Sequence, residues 1–487
     1  MQVANAQEVE VNVVGSDTFG RYPKISAEQT WNMFISDNWL ITYGGFKRIS
    51  EVLPAGEGRG LFNSIRGGFL LAVVSTSVYR FDTAFVPIFI GKIGTLTGDV
   101  YIDENLSSQI CIVDGENAYI YNYSIPAVPG PNFALQPLPF FPSYVSYHNT
   151  FFLFGSSPAS TNSQFWYAYN GGTGLTITLN TQFALQTKPD SALVVERLPG
   201  RGNNVLVVGS TVAEVWTQVG GTENYRRVQS FNIDYGVTSI STLAANEEQI
   251  CYLAQNENNS PTLFVTDGSS TKIISTDGID HLLDEIQFPG QSTAFFFRQD
   301  GHLFYQLTFY NPADNLTLIY DFTTSLFFHA SDENLNYHPA RKVAFFNEKT
   351  YFISLNEGSI YQMDTTLLTY DYSTDPASVG FEIPRIRICK TIRKKNADRF
   401  RIGQFTFTIE QGVVPQNAPT GARVDMSISK NDGQSFGSVV SRELNPSGLY
   451  RNQLRFWRMG QANSFIIQLR FYGFQRFVCS NGICEIY

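Results

Sequence analysis

The sequence is poor in charge, histidine and cysteine, and it has no long apolar run. Only 16% of its 487 residues are charged while 43% are hydrophobic, a balance that excludes an intrinsically disordered chain. The longest apolar run, about residues 69–74, is far shorter than the roughly 20 residues that span a bilayer. We therefore expect no membrane segment. The first residues lack a basic stretch followed by an apolar core, so we also expect no secretory signal.

Few residues suit metal binding or acid–base catalysis. The five histidines are scattered, none has metal-ligand spacing, and the sequence holds no Cys-x-x-Cys pair or phosphate-binding loop. Residues 433–437 (GQSFG) have the letters of a nucleophile elbow. However, that elbow needs a strand before it and a helix after it, whereas these residues lie between a turn and a strand-like segment. We expect no catalytic residue, no metal, no cofactor and no enzyme activity.

The five cysteines, at positions 111, 251, 389, 479 and 484, are too few for a disulfide framework in a chain of this length. They favour synthesis in a reducing cytoplasm. Cys479 and Cys484 flank Asn481 and Gly482, a pair that predicts a two-residue hairpin and would bring the two thiols within bonding range. Two interpretations are open: thiols that pack together unbonded, or a disulfide formed after release into an oxidising environment.

Aromatic residues and a long repeat dominate what remains. Aromatics make up 14% of the chain, and such side chains favour strands. Seven times, at spacings of 40 to 54 residues, an apolar strand and a turn precede a strand with an aromatic near its middle. Units of that length, built from short strands, indicate the blades of a β-propeller. The seven closing strands are VYRFD (78–82), AYIYN (118–122), WYAYN (166–170), VWTQV (215–219), LFVTD (263–267), TLIYD (317–321) and IYQMD (360–364).

Helical periodicity is persuasive in one place only. In residues 278–287 (GIDHLLDEIQ) the apolar side chains fall on one face, and Thr276 or Asp277 could cap the helix. The rest of the chain is predicted to be β-structure.

The net charge of −9 conceals two regions of opposite sign. Residues 385–487 carry 16 Lys or Arg and six Asp or Glu, whereas residues 1–384 carry 18 and 37. A change of sign where the repeats end predicts a domain boundary, and the alternating strands that follow it predict a β-sandwich. We expect an all-β chain in three parts. An N-terminal segment (1–55) joins the platform or closes the propeller, a propeller of six or seven blades spans 56–380, and a basic β-sandwich platform spans 381–487.

Positive charge is densest over residues 384–401, and two interpretations of it are open. It is either a solvated strand face with its turn or a surface for phosphates or an acidic partner subunit. No aromatic residues interleave with these charges to stack on bases, so we do not expect sequence-specific recognition of nucleic acid. The residues of this candidate basic surface, facing an adaptor or DNA, are Arg385, Arg387, Arg393, Lys394, Lys395, Arg399 and Arg401.

Three regions resemble the packaged-DNA stabilisation proteins, or tail hub and nozzle proteins, of short-tailed phages. The first is residues 22–34 (YPKISAEQTWNMF) with the turn at Gly44 and Gly45, and the second is residues 274–282, similar to a short helix between blades. The third comprises a hairpin at 429–436, a Gly-x-Tyr strand entry at 448–451 and the segment 454–462. Its most specific residues are Trp457, Arg458 and Gly460.

The resemblance implies a non-enzymatic protein of the phage tail, located in the virion and assembled in the host cytoplasm. Such proteins form a hexameric ring below the portal and adaptor, extend the DNA conduit and help to retain the packaged genome. The implied partners are further copies of the chain, the adaptor, tail needle, fibre or spike proteins, and DNA passing non-specifically through the lumen. An alternative is a glycan-binding or glycan-cleaving propeller at the host cell surface, with aromatic strands such as 165–169 (FWYAY) stacking on sugars.

Overall fold

The structure is a computed structural model of the chain, and its regular secondary structure is almost entirely antiparallel strand. The residues that it describes are 6–19, 28–50, 53, 56–126, 131–221, 223–258, 261–394, 396, 398–412, 421–446, 448–450 and 452–487. The N-terminal segment contributes five strands: β1 (Gln7–Val11), β2 (Gln29–Trp31), β3 (Met33–Ser36), β4 (Trp39–Thr42) and β5 (Gly45–Arg48).

Four four-stranded sheets follow one another between Gly58 and Ile233, each with its strands in chain order. The first four sheets contain β6 (Gly58–Ser64), β7 (Phe69–Val74), β8 (Ser77–Phe81) and β9 (Pro87–Lys92); β10 (Tyr101–Glu104), β11 (Gln109–Val113), β12 (Ala118–Asn122) and β13 (Phe133–Gln136); β14 (Pro142–His148), β15 (Phe151–Ser156), β16 (Phe165–Gly171) and β17 (Ile177–Ala184); and β18 (Val194–Arg197), β19 (Asn204–Val208), β20 (Ala213–Gln218) and β21 (Tyr225–Ile233).

The fifth sheet has a split first strand interrupted by a short 3-10 helix at Ile240–Thr242. It contains β22 (Gly236–Val237), β23 (Ala244–Ala245), β24 (Ile250–Gln255), β25 (Thr262–Thr266) and β26 (Thr271–Ile273), and the helix α1 (Asp277–Glu285) follows it. The sixth blade contains β27 (Ser292–Gln299), β28 (His302–Phe309), β29 (Leu316–Asp321) and β30 (Leu326–His329), and the seventh starts with β31 (Ala340–Phe346), β32 (Lys349–Ser354) and β33 (Ile360–Asp364).

The seventh blade takes its fourth strand from the N-terminal segment. β5 pairs antiparallel with β33, with Phe46 opposite Met363, while β31 lies beside β6 of the first blade and closes the circle. The propeller therefore has seven blades, within the predicted range of six or seven. The seven closing strands picked out by their aromatics are the third strands of these blades, namely β8, β12, β16, β20, β25, β29 and β33.

The aromatics of the repeat pack between blades, which is why they recur. Trp166 of the third blade is fully buried, and its ring centroid lies 5.5 Å from that of Trp216 and 5.3 Å from that of Tyr225, both in the fourth blade. Such edge-to-face pairs stabilise the packing beyond the area they bury. Each blade thus supplies half of a hydrophobic layer that its neighbour completes.

The predicted helix is present, shifted by one or two residues. Its N-cap is Thr276, whose hydroxyl accepts a hydrogen bond from the Ile279 backbone N–H. Ile279 and Leu283 are buried against the fifth and sixth blades. Among the described residues, no helix is long and apolar enough to cross a membrane.

Ten strands follow the propeller repeats, and eight of them form the platform with the N-terminal strands. β34 (Thr369–Asp371) and β35 (Phe381–Glu382) extend the seventh blade. The others are β36 (Arg385–Ile388), β37 (Ile392–Arg393), β38 (Phe400–Ile409), β39 (Arg423–Ser429), β40 (Val440–Glu443), β41 (Gln453–Ala462), β42 (Ser464–Tyr472) and β43 (Val478–Ile486).

Two antiparallel sheets share the core of this region. One has the order β3-β4-β43-β38-β41, with β1 also paired to β43, and the other has the order β36-β42-β39-β40. Phe405 and Phe456 from the first sheet and Val424 and Leu469 from the second belong to one buried cluster. The alternating pattern predicts strands at 404–410, 422–429, 453–457 and 464–471. These are present as β38, β39, β41 and β42.

The N-terminal segment takes both of the roles that the sequence left open. β1, β3 and β4 lie in the first platform sheet, whereas β5 closes the seventh blade. β2 joins the two parts, because Trp31 pairs with His329 of β30 on one side and with Ile386 of β36 on the other. The second platform sheet is therefore a continuation of the sixth blade.

The hairpin predicted at Asn481 and Gly482 is wrong. Both residues lie inside the continuous strand β43, and a Cβ at position 482 would come within 2.4 Å of Phe405 Cε2, so the glycine allows close packing rather than a turn. Cys479 and Cys484 are free and buried. Five residues of extended strand separate them by ~16 Å, well beyond the Cα separation that a disulfide allows. Of the two interpretations left open, the disulfide is therefore excluded in this fold.

Candidate functional surfaces

Two arginines of the candidate basic surface are in the interior. Arg387 is fully buried, and its guanidinium donates to the backbone carbonyls of Asn12, Val13 and Ser16 at 2.9–3.0 Å and pairs with Glu28. Arg385 is 1% exposed and donates to the carbonyls of Gly473 and Leu368. Assigning these two residues to a charged surface is therefore wrong, because the N-terminal segment covers Arg387 while the backbone at Leu368, before β34, and at Gly473, after β42, covers Arg385.

Burial lowers the pKa of Arg385 to about 10, because a charged group loses its hydration there. The ring of Phe477 lies 5.2 Å from the guanidinium carbon and offers a cation–π contact in place of water. Arg385 and Arg387 thus hold loops against the platform.

The remaining basic residues lie at the surface but not in one row. Arg393 pairs with Asp432 at 2.6 Å, and this hydrogen bond lowers the pKa of the aspartate. The Lys394 ammonium lies 5.9 Å from the centre of the Phe400 ring. Arg399 and Arg401 are exposed, and Lys395 lies outside the described residues. The structure thus leaves Lys394, Arg399 and Arg401 without an ion pair to any described carboxylate.

The motif residues Trp457, Arg458 and Gly460 form a kink in the strand β41. Arg458 and Gly460 have φ values of +61° and +84°, and the register with β38 shifts between Ile402 and Gln404, which marks a β-bulge. Trp457 is 51% exposed. Its indole N–H donates to Gln404 Oε1 at 3.0 Å, and the Arg442 guanidinium lies 5.4 Å from its ring. The motif therefore holds a tryptophan side chain in a fixed position on the surface.

This tryptophan belongs to a wider surface that we call the platform face, the solvent side of strands β41, β38, β43 and β1. Residues paired across these strands form two rows. One row is Trp457, Gln404, Glu485 and Glu8, and the other is Arg455, Thr406, Ile483 and Glu10. Sequence reasoning missed the face, because β1 and β43 are separated by the whole chain and no local pattern pairs them.

A charged cluster lies where the propeller closes. Arg341 at the start of the seventh blade donates to Asp99 at 2.6 Å and to the Gly58 carbonyl at 3.1 Å, and pairs with Glu57 at 3.0 Å. The Lys342 ammonium lies 2.9 Å from Asp99. These neighbours raise the pKa of Arg341 and lower that of Asp99 against the effect of burial. The cluster ties the seventh blade to the first two and was not predicted from sequence.

A cavity of about 410 Å³ lies beside this cluster and is lined by residues from five blades, among them Tyr101, Tyr310 and Thr238. Nearby, Glu196 accepts a hydrogen bond from the Tyr144 hydroxyl at 2.7 Å. Burial raises the pKa of Glu196 to about 7, although the charge of Arg197 opposes the shift. Among the described residues, no three His, Cys, Asp or Glu side chains are grouped so that they could hold a metal ion.

The fold and these surfaces define the class: a seven-bladed β-propeller built together with a two-sheet platform. Residues 179–368 match the model of a family described as "Bacteriophage P22 Gp10, beta-propeller". This is the phage tail family that the sequence motifs resemble, and over those residues the prediction is confirmed. The match covers the fourth to sixth blades, α1 and the first three strands of the seventh blade. It supports a structural role in a virion.

Solved propellers show only distant similarity. A streptogramin B lyase has 10% identity over 66% of this chain and 97% of its own, with a TM-score of 0.42. The WD40 propeller domain of Doa1 has 9% identity over 66% and 96%, with a TM-score of 0.40. A virginiamycin B lyase from Staphylococcus aureus has 9% identity over 65% and 99%, with a TM-score of 0.43. No curated protein matches the chain.

Proposed function

We propose that the protein is a structural component of a phage tail, forming a ring that extends the DNA conduit below the portal and adaptor and helps to retain packaged DNA until ejection. The observation that carries the proposal is the family match over residues 179–368. In this proposal the ring is a hexamer assembled in the host cytoplasm, and needle, fibre or spike proteins bind below it.

The charge distribution supports a passive conduit wall. Residues 1–384, which include the seven blades, carry 18 basic and 37 acidic residues. A basic lumen would bind phosphates and slow DNA movement, whereas an acidic wall repels them. The propeller is therefore suited to line a channel through which DNA must pass without binding.

The platform is the surface that we propose for the adaptor. Its net positive charge would attract an acidic adaptor rim. Because Arg385 and Arg387 are buried, the contact depends on Arg393, Lys394, Arg399 and Arg401, with Lys395 a further candidate.

The alternative function, glycan binding or cleavage, depended on aromatic strands such as 165–169 being available to stack on sugars. The structure does not support that availability. Trp166, Tyr167 and Tyr169 are 0–5% exposed, so they pack between blades and are not available to stack on sugars.

The experiment is DNA retention by phage particles assembled without this protein. We expect these particles to package DNA and then lose it, and purified protein added to them to restore nuclease-protected DNA. A Lys394→Ser, Arg399→Ser variant should restore less at 0.15 M salt, whereas the control Arg226→Ser, Lys272→Ser, which alters exposed propeller residues, should act as the wild type. Particles that keep their DNA without the protein would contradict the proposed function.

A further inference from the structure

The platform face ends in two strands with an open side. In the order β41-β38-β43-β1, the strand β41 pairs with β38 alone and β1 pairs with β43 alone, within the part of the chain that the structure describes. Natural proteins rarely leave a long strand edge uncovered, because its unpaired N–H and C=O groups attract other chains. On β41 the Arg442 guanidinium covers one of these groups, the Arg455 carbonyl, at 3.1 Å. Among the described residues, no strand other than β38 pairs with β41.

The two edges carry opposite charge. Arg455 and Arg458 are exposed on β41, and Arg442 lies over the adjacent Trp457 ring. Glu8 and Glu10 are exposed on β1, and Glu485 lies beside them on β43. None of these six charged groups comes within 4 Å of an opposite charge on another described residue, since the ion pairs of the molecule lie elsewhere. The hydrogen bonds of Arg455 and Glu10 are with neutral groups: Arg455 donates to Gln453 Oε1 and Asn481 Nδ2 donates to Glu10. Each edge therefore keeps its net charge and can attract a partner of the opposite sign.

Large apolar side chains are exposed on the same face, Trp457 on the β41 edge and Ile483 on β43 inside it. Trp457, Ile483 and Tyr487 are 51%, 49% and 44% exposed. Trp, Tyr and Arg are the residue types most enriched where proteins bind each other, and they carry most of the binding energy there. The face thus combines exposed apolar anchors with a basic and an acidic edge.

From these observations we propose that a second copy of this chain binds head to tail at the platform, its β1 edge against the β41 edge of the first copy. One sheet carries both the basic β41 edge and the acidic β1 edge. The basic edge of one copy is therefore complementary to the acidic edge of another copy of the same chain. The strand directions agree: each neighbouring pair in the sheet is antiparallel, so β1 runs opposite to β41. A rotation about an axis parallel to the strands keeps them antiparallel in the next copy.

A contact between two different surfaces of one chain repeats from copy to copy and closes into a ring when the rotation allows it. The inference therefore rests on the proposed ring and specifies which surfaces form it. The contact joins Arg455 and Trp457 of one subunit to Glu8 and Glu10 of the next.

The first test is charge reversal on the full chain, with molar mass measured by sedimentation velocity. Glu8→Lys with Glu10→Lys should weaken self-association about 10- to 100-fold, because lysines would then face Arg455 and Arg458. Arg455→Glu with Arg458→Glu should do the same. An equimolar mixture of the two variants should recover the wild-type mass, since each altered edge meets its new complement. The control Glu247→Lys with Glu248→Lys makes the same change of charge on an exposed propeller turn and should leave the mass unchanged.

The second test separates head-to-tail contact from a symmetric dimer. A chain carrying both Glu10→Cys and Arg455→Cys should give, on oxidation, a series of covalent species up to the full ring, whereas either single variant should give none. The five native cysteines are buried, so the background is low. Cross-linking that stops at the dimer would overturn the head-to-tail arrangement.

The two proposals fail in different ways. A wild-type ring that withstands both charge reversals, in variants whose thermal unfolding is unchanged, would overturn the assigned surfaces and leave the tail function in place. Particles that retain their DNA without the protein would overturn the tail function, whatever the effect of the reversals. A wild-type chain that stays monomeric would overturn the contact proposed here.

Discussion

At the scale of single residues, buried arginines in this molecule connect loops. Arg59 donates to the carbonyls of Ser75, Thr95, Thr97 and Gly98 at 2.6–2.9 Å, and Arg387 holds the N-terminal segment in the same way. A guanidinium offers five donors in a fixed geometry and keeps its charge when buried. Removing one partner of a buried pair costs about 3–5 kcal/mol, because the other charge is left unpaired.

Glu196 makes stability depend on pH near neutrality. Its pKa, about 7 in the fold against 4.5 in a model peptide, means that the folded state binds a proton more tightly than the unfolded state. The stability it provides is complete below pH 4.5 and is lost as pH rises through 7. Glu196→Gln should remove this loss, which is on the order of 3 kcal/mol, and should therefore stabilise the protein at pH 8 but not at pH 4.5.

The measurement is urea unfolding of wild type and variant at several pH values. Glutamine keeps an acceptor for the Tyr144 hydroxyl, so the test isolates the charge. Glu247→Gln, at an exposed position, should leave the pH profile unchanged. A constant difference between Glu196→Gln and wild type at every pH would refute the argument.

At the scale of elements, β5 completes the seventh blade. Phe46 on this strand is fully buried. Its ring stacks on Tyr370 at 4.5 Å and meets Phe352 and Tyr361 edge to face at 5.3 Å. β5, from near the start of the chain, thus stabilises the seventh blade, which completes the ring of blades.

Phe46→Ala should lower the free energy of unfolding by about 3–5 kcal/mol, because it removes a buried ring and leaves a cavity. Phe345→Ala, in the same blade but 63% exposed, is the matched control and should change it by less than about 0.5 kcal/mol. Chemical denaturation monitored by tryptophan fluorescence measures both. Equal effects of the two substitutions would contradict the role of β5.

Local patterns sufficed for the blades, α1 and four platform strands, since alternation, turns and caps act within a few residues. They failed where distant strands decide the outcome. Arg385 and Arg387 alternate with isoleucines as on a solvated strand, yet the N-terminal segment covers Arg387 and the backbone at Leu368 and Gly473 covers Arg385. Asn481 and Gly482 favour a hairpin, but strand pairing on both sides of β43 keeps them extended. The platform face was invisible for the same reason, because it exists only through pairings between opposite ends of the chain.

At the scale of the whole molecule, propeller and platform share both a sheet and a core. Phe34 and Ile41 of β3 and β4 belong to the same buried cluster as Phe304 of the sixth blade and Phe352 of the seventh. The rings of Trp31 and His329 stack at 4.2 Å where β2 meets β30, and His329 Nδ1 lies 2.5 Å from Asp17 Oδ2. Since burial on one side depends on the other, the two parts should unfold together.

Scanning calorimetry of the wild type should therefore show one transition. Trp31→Ala removes the stacked ring, so the single unfolding transition should split into two. The transition with the lower midpoint should belong to the platform. Trp39→Ala, at a 41% exposed position of β4, should leave a single transition. Two transitions in the wild type itself would show that the shared sheet does not couple the two parts.

The central position of β43 has a consequence for synthesis. This strand pairs with β38 on one side and with β1 and β4 on the other. Gln7 can pair with Ile486 only after nearly the whole chain has been synthesised. Pairing over such a sequence separation forms late. The propeller repeats can form during translation, but the platform face cannot exist before residue 486 has left the ribosome. Neighbouring chains on one messenger RNA therefore cannot bind one another through this face while they are still being made.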